Sequence, residues 1–138
     1  MLKLINRVLM AMFRRDSSPL KEDSEKSFAG VTFALHRWVE DRRYCAPDAD
    51  MKAVAQELGI SRDRLSNYCL RILGKSFLTW RKELRIAESQ RLMRDNPDAS
   101  LTVLAEKVGL DRANFRRQFN EVCGCSPQQW KEKHLCNK

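Results

Sequence analysis

Apolar residues recur at helical spacing through most of this chain, and the recurrences come in pairs. Val54, Ala55 and Leu58 make one inward stripe, and Leu104, Ala105 and Val108 make another fifty residues later. Leu65, Cys69 and Ile72 fall at i, i+4 and i+7, matched by Phe115, Phe119 and Val122. Laid over each other at an offset of 50 without a gap, residues 47–85 and 97–135 share nine identities in 39 positions, among them Gly59/Gly109, Arg62/Arg112, Gly74/Gly124, Ser76/Ser126 and Trp80/Trp130. The chain states one unit twice.

The polar positions punctuate that pattern. Asp50 and Ser100 stand where a first helix needs an N-cap, and Gly59 and Gly109 stand where it needs a left-handed stop. Ser61 and Asp111, two residues on, cap a second helix, each accepting from otherwise unpaired backbone N–H groups for about 1 kcal/mol. Gly74 and Gly124 close the second helices, and Ser76 and Ser126 open third ones. In "SPQQ" Pro127 takes the first helical position and Gln129 completes a capping box with Ser126. Helix, compressed turn, helix is the pattern of a helix-turn-helix.

Between the copies "SFLTWRKELRIAESQRLMRDN" reads as one helix stopped at Asn96 and Pro97. Phe77, Trp80, Leu84 and Ala87 form an early stripe, and Ile86, Ser89, Leu92 and Met93 a later one, so the helix is expected to give one face to each copy. Ahead of the first copy, Phe28, Val31, Leu35 and Trp38 predict a covering helix capped by Ser27, with His36 on the surface and Trp38 in the core. Trp80 and Trp130 read as equivalent core anchors. The expected fold is all-α, with two helix-turn-helix subdomains joined by a long shared helix. It comprises about seven helices plus an N-terminal extension helix. The boundaries are residues 1–26 for an amphipathic extension and polar linker, 27–75 for the first lobe, 76–96 for the connecting helix and 97–138 for the second lobe.

Composition narrows the chemistry. In 138 residues, 26 Lys and Arg outweigh 18 Asp and Glu, for a net charge of +8, which favours polyanionic partners. Five cysteines without a CxxC pair, and two histidines, argue against a zinc site or disulfide framework and for reduced thiols; Cys123 and Cys125 lie close enough to raise redox sensing. The sequence offers no catalytic constellation, metal ligand set or cofactor motif. "MLKLINRVLMAMFRR" has an apolar run far short of the ~20 residues that span a bilayer, and no signal-peptide character. Lys3, Arg7 and Arg14 share one helical face there, as in a weak membrane-surface helix, though packing on its own domain is the plainer reading. "PLKEDSE", Pro19 to Glu25, has the composition of a disordered linker.

The outward faces carry the functional signal. With the stripes turned inward, the second helix of the first copy shows Arg62, Asp63, Ser66, Asn67 and Arg71. That of the second shows Arg112, Ala113, Arg116, Arg117 and Glu121, with Asn114 beside them. Arginine grips guanine O6 and N7 with two hydrogen bonds, asparagine does the same for adenine, and serine donates or accepts. Lys and Glu in i, i+4 pairs, the usual solvated face, are scarce here. Double-stranded DNA is the expected partner. The 18 residues from Phe77 to Arg94 span about 27 Å, so with the flanking turns two reading helices would sit about one DNA turn, ~34 Å, apart. The alternative is a helical protein-interaction module or adaptor on the same scaffold without DNA binding.

Over about Phe28 to Leu135 the chain resembles the DNA-binding domain of the AraC/XylS family of bacterial transcription regulators. The resemblance rests on "MKAVAQELGISRDRLSNYCLRILGKS", on "LRI" and "LM" within the connecting helix, and on "LTVLAEKVGLDRANFRRQFNEVCGCSPQQW". It implies a cytoplasmic regulator that sets both second helices in adjacent major grooves and contacts RNA polymerase. It maps base contacts onto Asp63, Ser66 and Asn67, and onto Ala113, Asn114 and Arg117. Two departures stand in the second copy: one residue fewer between the turn glycine and Phe115, and Leu110 where the family usually has phenylalanine. The stretch ahead of the first copy is too short to enclose a small-molecule pocket, so none is expected.

Overall fold

The computed structural model describes the backbone of residues 19–135 and the side chains of residues 28–135. The described residues form seven α-helices and no strand: α1 (Pro19–Glu40), α2 (Met51–Leu58), α3 (Arg62–Tyr68), α4 (Phe77–Asp95), α5 (Leu101–Lys107), α6 (Arg112–Cys123) and α7 (Pro127–His134). A 3-10 turn, Arg43–Cys45, follows α1, and a π turn, Cys69–Leu73, continues α3. The all-α architecture with two helix-turn-helix units is the one the punctuation predicts. The expected amphipathic helix over "MLKLINRVLMAMFRR" lies outside the described residues.

Two boundaries move. The first helix begins at Pro19, not at Ser27, so the segment Pro19 to Glu25 is helical rather than a disordered linker. Its composition cannot sustain a helix alone. Yet once the turn at Phe28 is packed, each further residue adds a bond without the nucleation cost, and proline suits the first position. The second helix of the first copy, α3, also departs from a straight run: the π turn inserts an extra residue per turn and rephases everything after Tyr68. Tyr68 and Cys69 are buried while Ile72, expected inward, is only half-buried and Leu70 is exposed.

The described chain divides into two compact units, one holding residues up to Arg43 with Ala49–Trp80, the other Tyr44–Asp48 with residues from Arg81 onward. In the first, the small pair Leu65 and Cys69 leaves room that α1 fills with aromatics. The Phe28 ring meets Tyr68 edge-on at 5.5 Å, and Trp38 stacks on Trp80 at 5.8 Å and tilts against Phe77 at 5.9 Å. Thr32 Oγ1 donates to the Phe28 carbonyl at 3.1 Å, which leaves the Tyr68 hydroxyl to donate to Thr32 at 2.8 Å. His36 stays near the surface, paired with Glu40 at 2.9 Å.

The second unit closes its core with its own rings. Phe115 and Phe119, in the places of Leu65 and Cys69, meet edge-on at 5.8 Å, and Phe119 meets Trp130 at 6.2 Å. Ile86, Met93, Leu104, Ala105 and Val108 complete the cluster. Val122, expected inward, is 38% exposed, because the helix outlasts the core and Cys123 turns inward in its place. The long helix α4 is shared along its length: its first turn belongs to the first unit, and the rest to the second.

The second unit also holds a buried polar network. Arg85, 3% exposed, donates from Nε to the Tyr44 carbonyl at 2.6 Å and from Nη2 to the Ala46 carbonyl at 2.8 Å. Burial, with Arg81 nearby, pushes its pKa down to about 10, which leaves it charged at neutral pH. Glu88, equally buried, accepts from the Tyr44 hydroxyl at 3.3 Å and from Arg91 Nε at 2.6 Å. These bonds satisfy carbonyls and charge that would otherwise be stranded away from water.

Candidate nucleic-acid interface

The second helix of each unit is set by the same local devices. In the first unit Asp50 accepts from the Ala53 amide at 2.7 Å, Gly59 ends α2 at φ 71°, and Ser61 accepts from the Arg64 amide at 3.1 Å to start α3. In the second, Ser100 accepts from Val103 at 3.2 Å, Gly109 follows α5 at φ 79°, and Asp111 accepts from Asn114 at 2.8 Å to start α6. Gly74 and Gly124 finish both at φ 74° and 73°. Ser126 and Gln129 form the expected reciprocal capping box at α7.

The outward residues lie as follows. Arg62, Asp63 and Asn67 are exposed on α3 and Ser66 is half-buried beside them; Arg71 is exposed on the π turn, off the regular helix. Arg64, between them, lays its guanidinium over the Phe28 ring at 5.8 Å. On α6 Arg112, Ala113, Arg116 and Arg117 are exposed and Asn114 is half-buried.

In the second unit the structure joins two of these groups, Asn114 and Arg117, to Asp111 and Glu121 in a chain of bonds. Asn114 Nδ2 donates to Asp111 Oδ2 at 2.7 Å, Arg117 Nη2 donates to Asn114 Oδ1 at 2.8 Å, and Arg117 Nη1 donates to Glu121 Oε1 at 3.2 Å. Lys82 of α4 donates to the other Glu121 oxygen at 3.1 Å. The Asn114 amide, first through its backbone and then its side chain, holds the Asp111 carboxyl below its ordinary range, and Lys82 foremost does the same for Glu121. Both acids are therefore ionised at neutral pH, and Arg117 is presented with its plane fixed. Lys82 lies 35 residues before Arg117, so sequence spacing gives no sign of it.

Two of the thiols, Cys69 and Cys123, are held toward the protonated form. Burial pushes Cys69 up to about 12, and burial likewise raises Cys123, whose sulfur accepts from Gln90 at 3.1 Å. Among the described residues no helix is long and apolar enough to cross a membrane.

Known proteins place this geometry. Residues 54–133 match the helix-turn-helix domain family. The chain is 31% identical over 83 residues to the arabinose operon regulatory proteins of Salmonella typhimurium and Escherichia coli, a match covering 59% of this chain but only 29% and 28% of theirs. Among solved structures, the C-terminal domain of AraT, a response regulator from Geobacillus stearothermophilus, shares the fold at a TM-score of 0.66 and 23% identity, over 74% of this chain and 86% of that one. The C-terminal domain of the two-component response regulator yesN from Fusobacterium nucleatum does so at 0.67 and 19%, over 75% and 100%. With twin capped hairpins, a shared helix and a family match over more than half its length, the chain belongs to the helix-turn-helix proteins and carries a DNA-binding domain of the AraC/XylS type.

Proposed function

We propose that the chain is a sequence-specific transcription regulator that inserts α3 and α6 into successive major grooves of one duplex. What supports this most is the pair of matched outward faces: two helices, started by equivalent caps and stopped by equivalent glycines, both display arginine, amide or hydroxyl groups free of the core. Asn67 and Ser66 would read bases from α3 and Arg117 and Asn114 from α6, with Arg62, Arg112 and Arg116 on phosphates or guanines. Asp63 would accept from cytosine N4, and Ala113 would meet a thymine methyl. A covalent repeat gives one chain the half-site spacing that other regulators obtain by dimerising. Work in the cytoplasm and contact with RNA polymerase belong to the same proposal; the arabinose-operon relatives, regulatory proteins by name, support its regulatory part alone.

Selection of bound duplexes from a random pool, followed by footprinting, tests it. The expected result is two protected patches about one helical turn, ~34 Å, apart, with log affinity falling linearly in log salt. Equal affinity for every duplex rejects sequence-specific reading, and a single protected patch rejects the two-groove arrangement.

A further inference from the structure

Beside the reading face of the second unit lies a groove of about 270 Å³ that the DNA reading does not use in full. Its floor is apolar, built by Met93 of α4, Leu104 of α5 and Pro127 of α7, with Leu101 half-buried in the wall. Its charged lining is entirely cationic: Arg112 and Arg116 from α6 and Lys131 from α7. No carboxylate among the described residues forms an ion pair with any of the three, whereas Arg91 pairs with Glu88 and Asp95 and Arg117 pairs with Glu121.

Phosphates would satisfy the three cations but gain nothing from an apolar floor. A small amphipathic anion would leave much of its surface in water in so shallow a trough, where tight small-molecule sites enclose most of their ligand. An amphipathic helix supplies both halves: one or two aliphatic side chains on the floor and flanking carboxylates on the rim, with the rest of its length free to make contacts beyond the groove. The unpaired cations set the sign of the partner.

We infer that this groove docks an acidic amphipathic helix of a partner protein, and that the docked helix competes with DNA for Arg112 and Arg116. The competition rests on the DNA reading above; the docking does not. Lys131 is the residue that separates the two, since it lines the groove but does not lie on α6.

The probe is a labelled synthetic helix with leucines at i and i+4 and glutamates flanking that stripe, titrated against the full chain by fluorescence anisotropy. Controls are its Glu→Gln and scrambled forms. Expected are saturable binding of the acidic helix alone, at least tenfold weakening by Lys131→Glu, and displacement of the helix by the selected duplex. Duplex affinity of Lys131→Glu should stay within about threefold of wild type, and unchanged circular dichroism would verify its fold. Gln128→Glu, on the exposed side of the same helix start, introduces a negative charge at the groove and should weaken the helix in the same direction.

Helix binding that ignores both substitutions, or no binding of the acidic helix, overturns the docking site. Loss of duplex affinity by tenfold or more in Lys131→Glu without helix binding assigns the groove to the DNA backbone and overturns it too. Helix binding that the duplex fails to displace overturns the competition. If no duplex binds the wild-type chain at all, the DNA reading fails while charge-dependent helix docking stands on its own.

Discussion

Gly109 lies so close beneath Cys45 that a β-carbon built on it would overlap the Cys45 carbonyl oxygen, with the Ala46 carbonyl carbon at 3.2 Å. Its repeat mate Gly59 has the same left-handed backbone and open space where a β-carbon would go. The two glycines therefore answer different demands. Gly59→Ala should cost about 1–2 kcal/mol for the backbone alone. Gly109→Ala should cost clearly more, because segment 44–48 must also shift. Urea unfolding of both variants checks this, and equal losses would contradict the close approach.

Arg85 anchors that same segment. Arg85→Met leaves the Tyr44 and Ala46 carbonyls without their donors in a dry site, so a loss of about 2–4 kcal/mol is expected. Arg85→Lys, with a single ammonium in place of a fork, should recover less than half of it. Full recovery by lysine in urea melts would show that charge, not the paired donation, is what matters.

Arg117 is held by Asn114 and Glu121 before any DNA arrives. Arg117→Ala should lose about 1–3 kcal/mol on the preferred duplex and relax preference at one base pair. Glu121→Gln, which removes a negative charge beside Arg117, should strengthen binding to all duplexes alike by less than about tenfold. Competition binding with single-base variants separates the two. A uniform loss across sequences for Arg117→Ala would make it a phosphate contact.

Tyr68 and Cys69 are neighbours held protonated by burial, each pushed up to about 12 from ordinary values of 10.0 and 9.0. The folded state keeps both protons more tightly than the unfolded chain, so their contribution is complete below pH 9 and is lost as pH rises toward 12. Stability measured by urea should fall from about pH 9 upward. Cys69→Ala should delay the onset toward pH 10, and Tyr68→Phe should flatten the remainder. A wild-type stability independent of pH between 9 and 11.5 would refute it.

Much of this architecture is local, and that part was legible. An N-cap needs only the amide three residues on, a left-handed stop only a missing β-carbon, and a core stripe only 3.6-residue periodicity. Hence Asp50, Ser61, Ser100, Asp111, Ser126 and the glycines stand where their spacing predicts. The same periodicity misjudges Ile72 and Val122, because a straight helix is assumed where a π turn rephases one and the core ends before the other.

The sequence by itself determined the repeat, the caps and turns, and which face of each unit's second helix is polar, since all of these are written within a few residues of one another. Only the tertiary structure decided that Arg85 and Glu88, charged positions on a surface-like helix, are buried to hold Tyr44–Asp48. The same holds for Lys82 bracing Glu121 beside Arg117, and for Arg112, Arg116 and Lys131 ringing one groove. Those relationships join residues from separate helices, and whether a charge meets a carbonyl, a carboxylate or open water depends on the packing that brings them together.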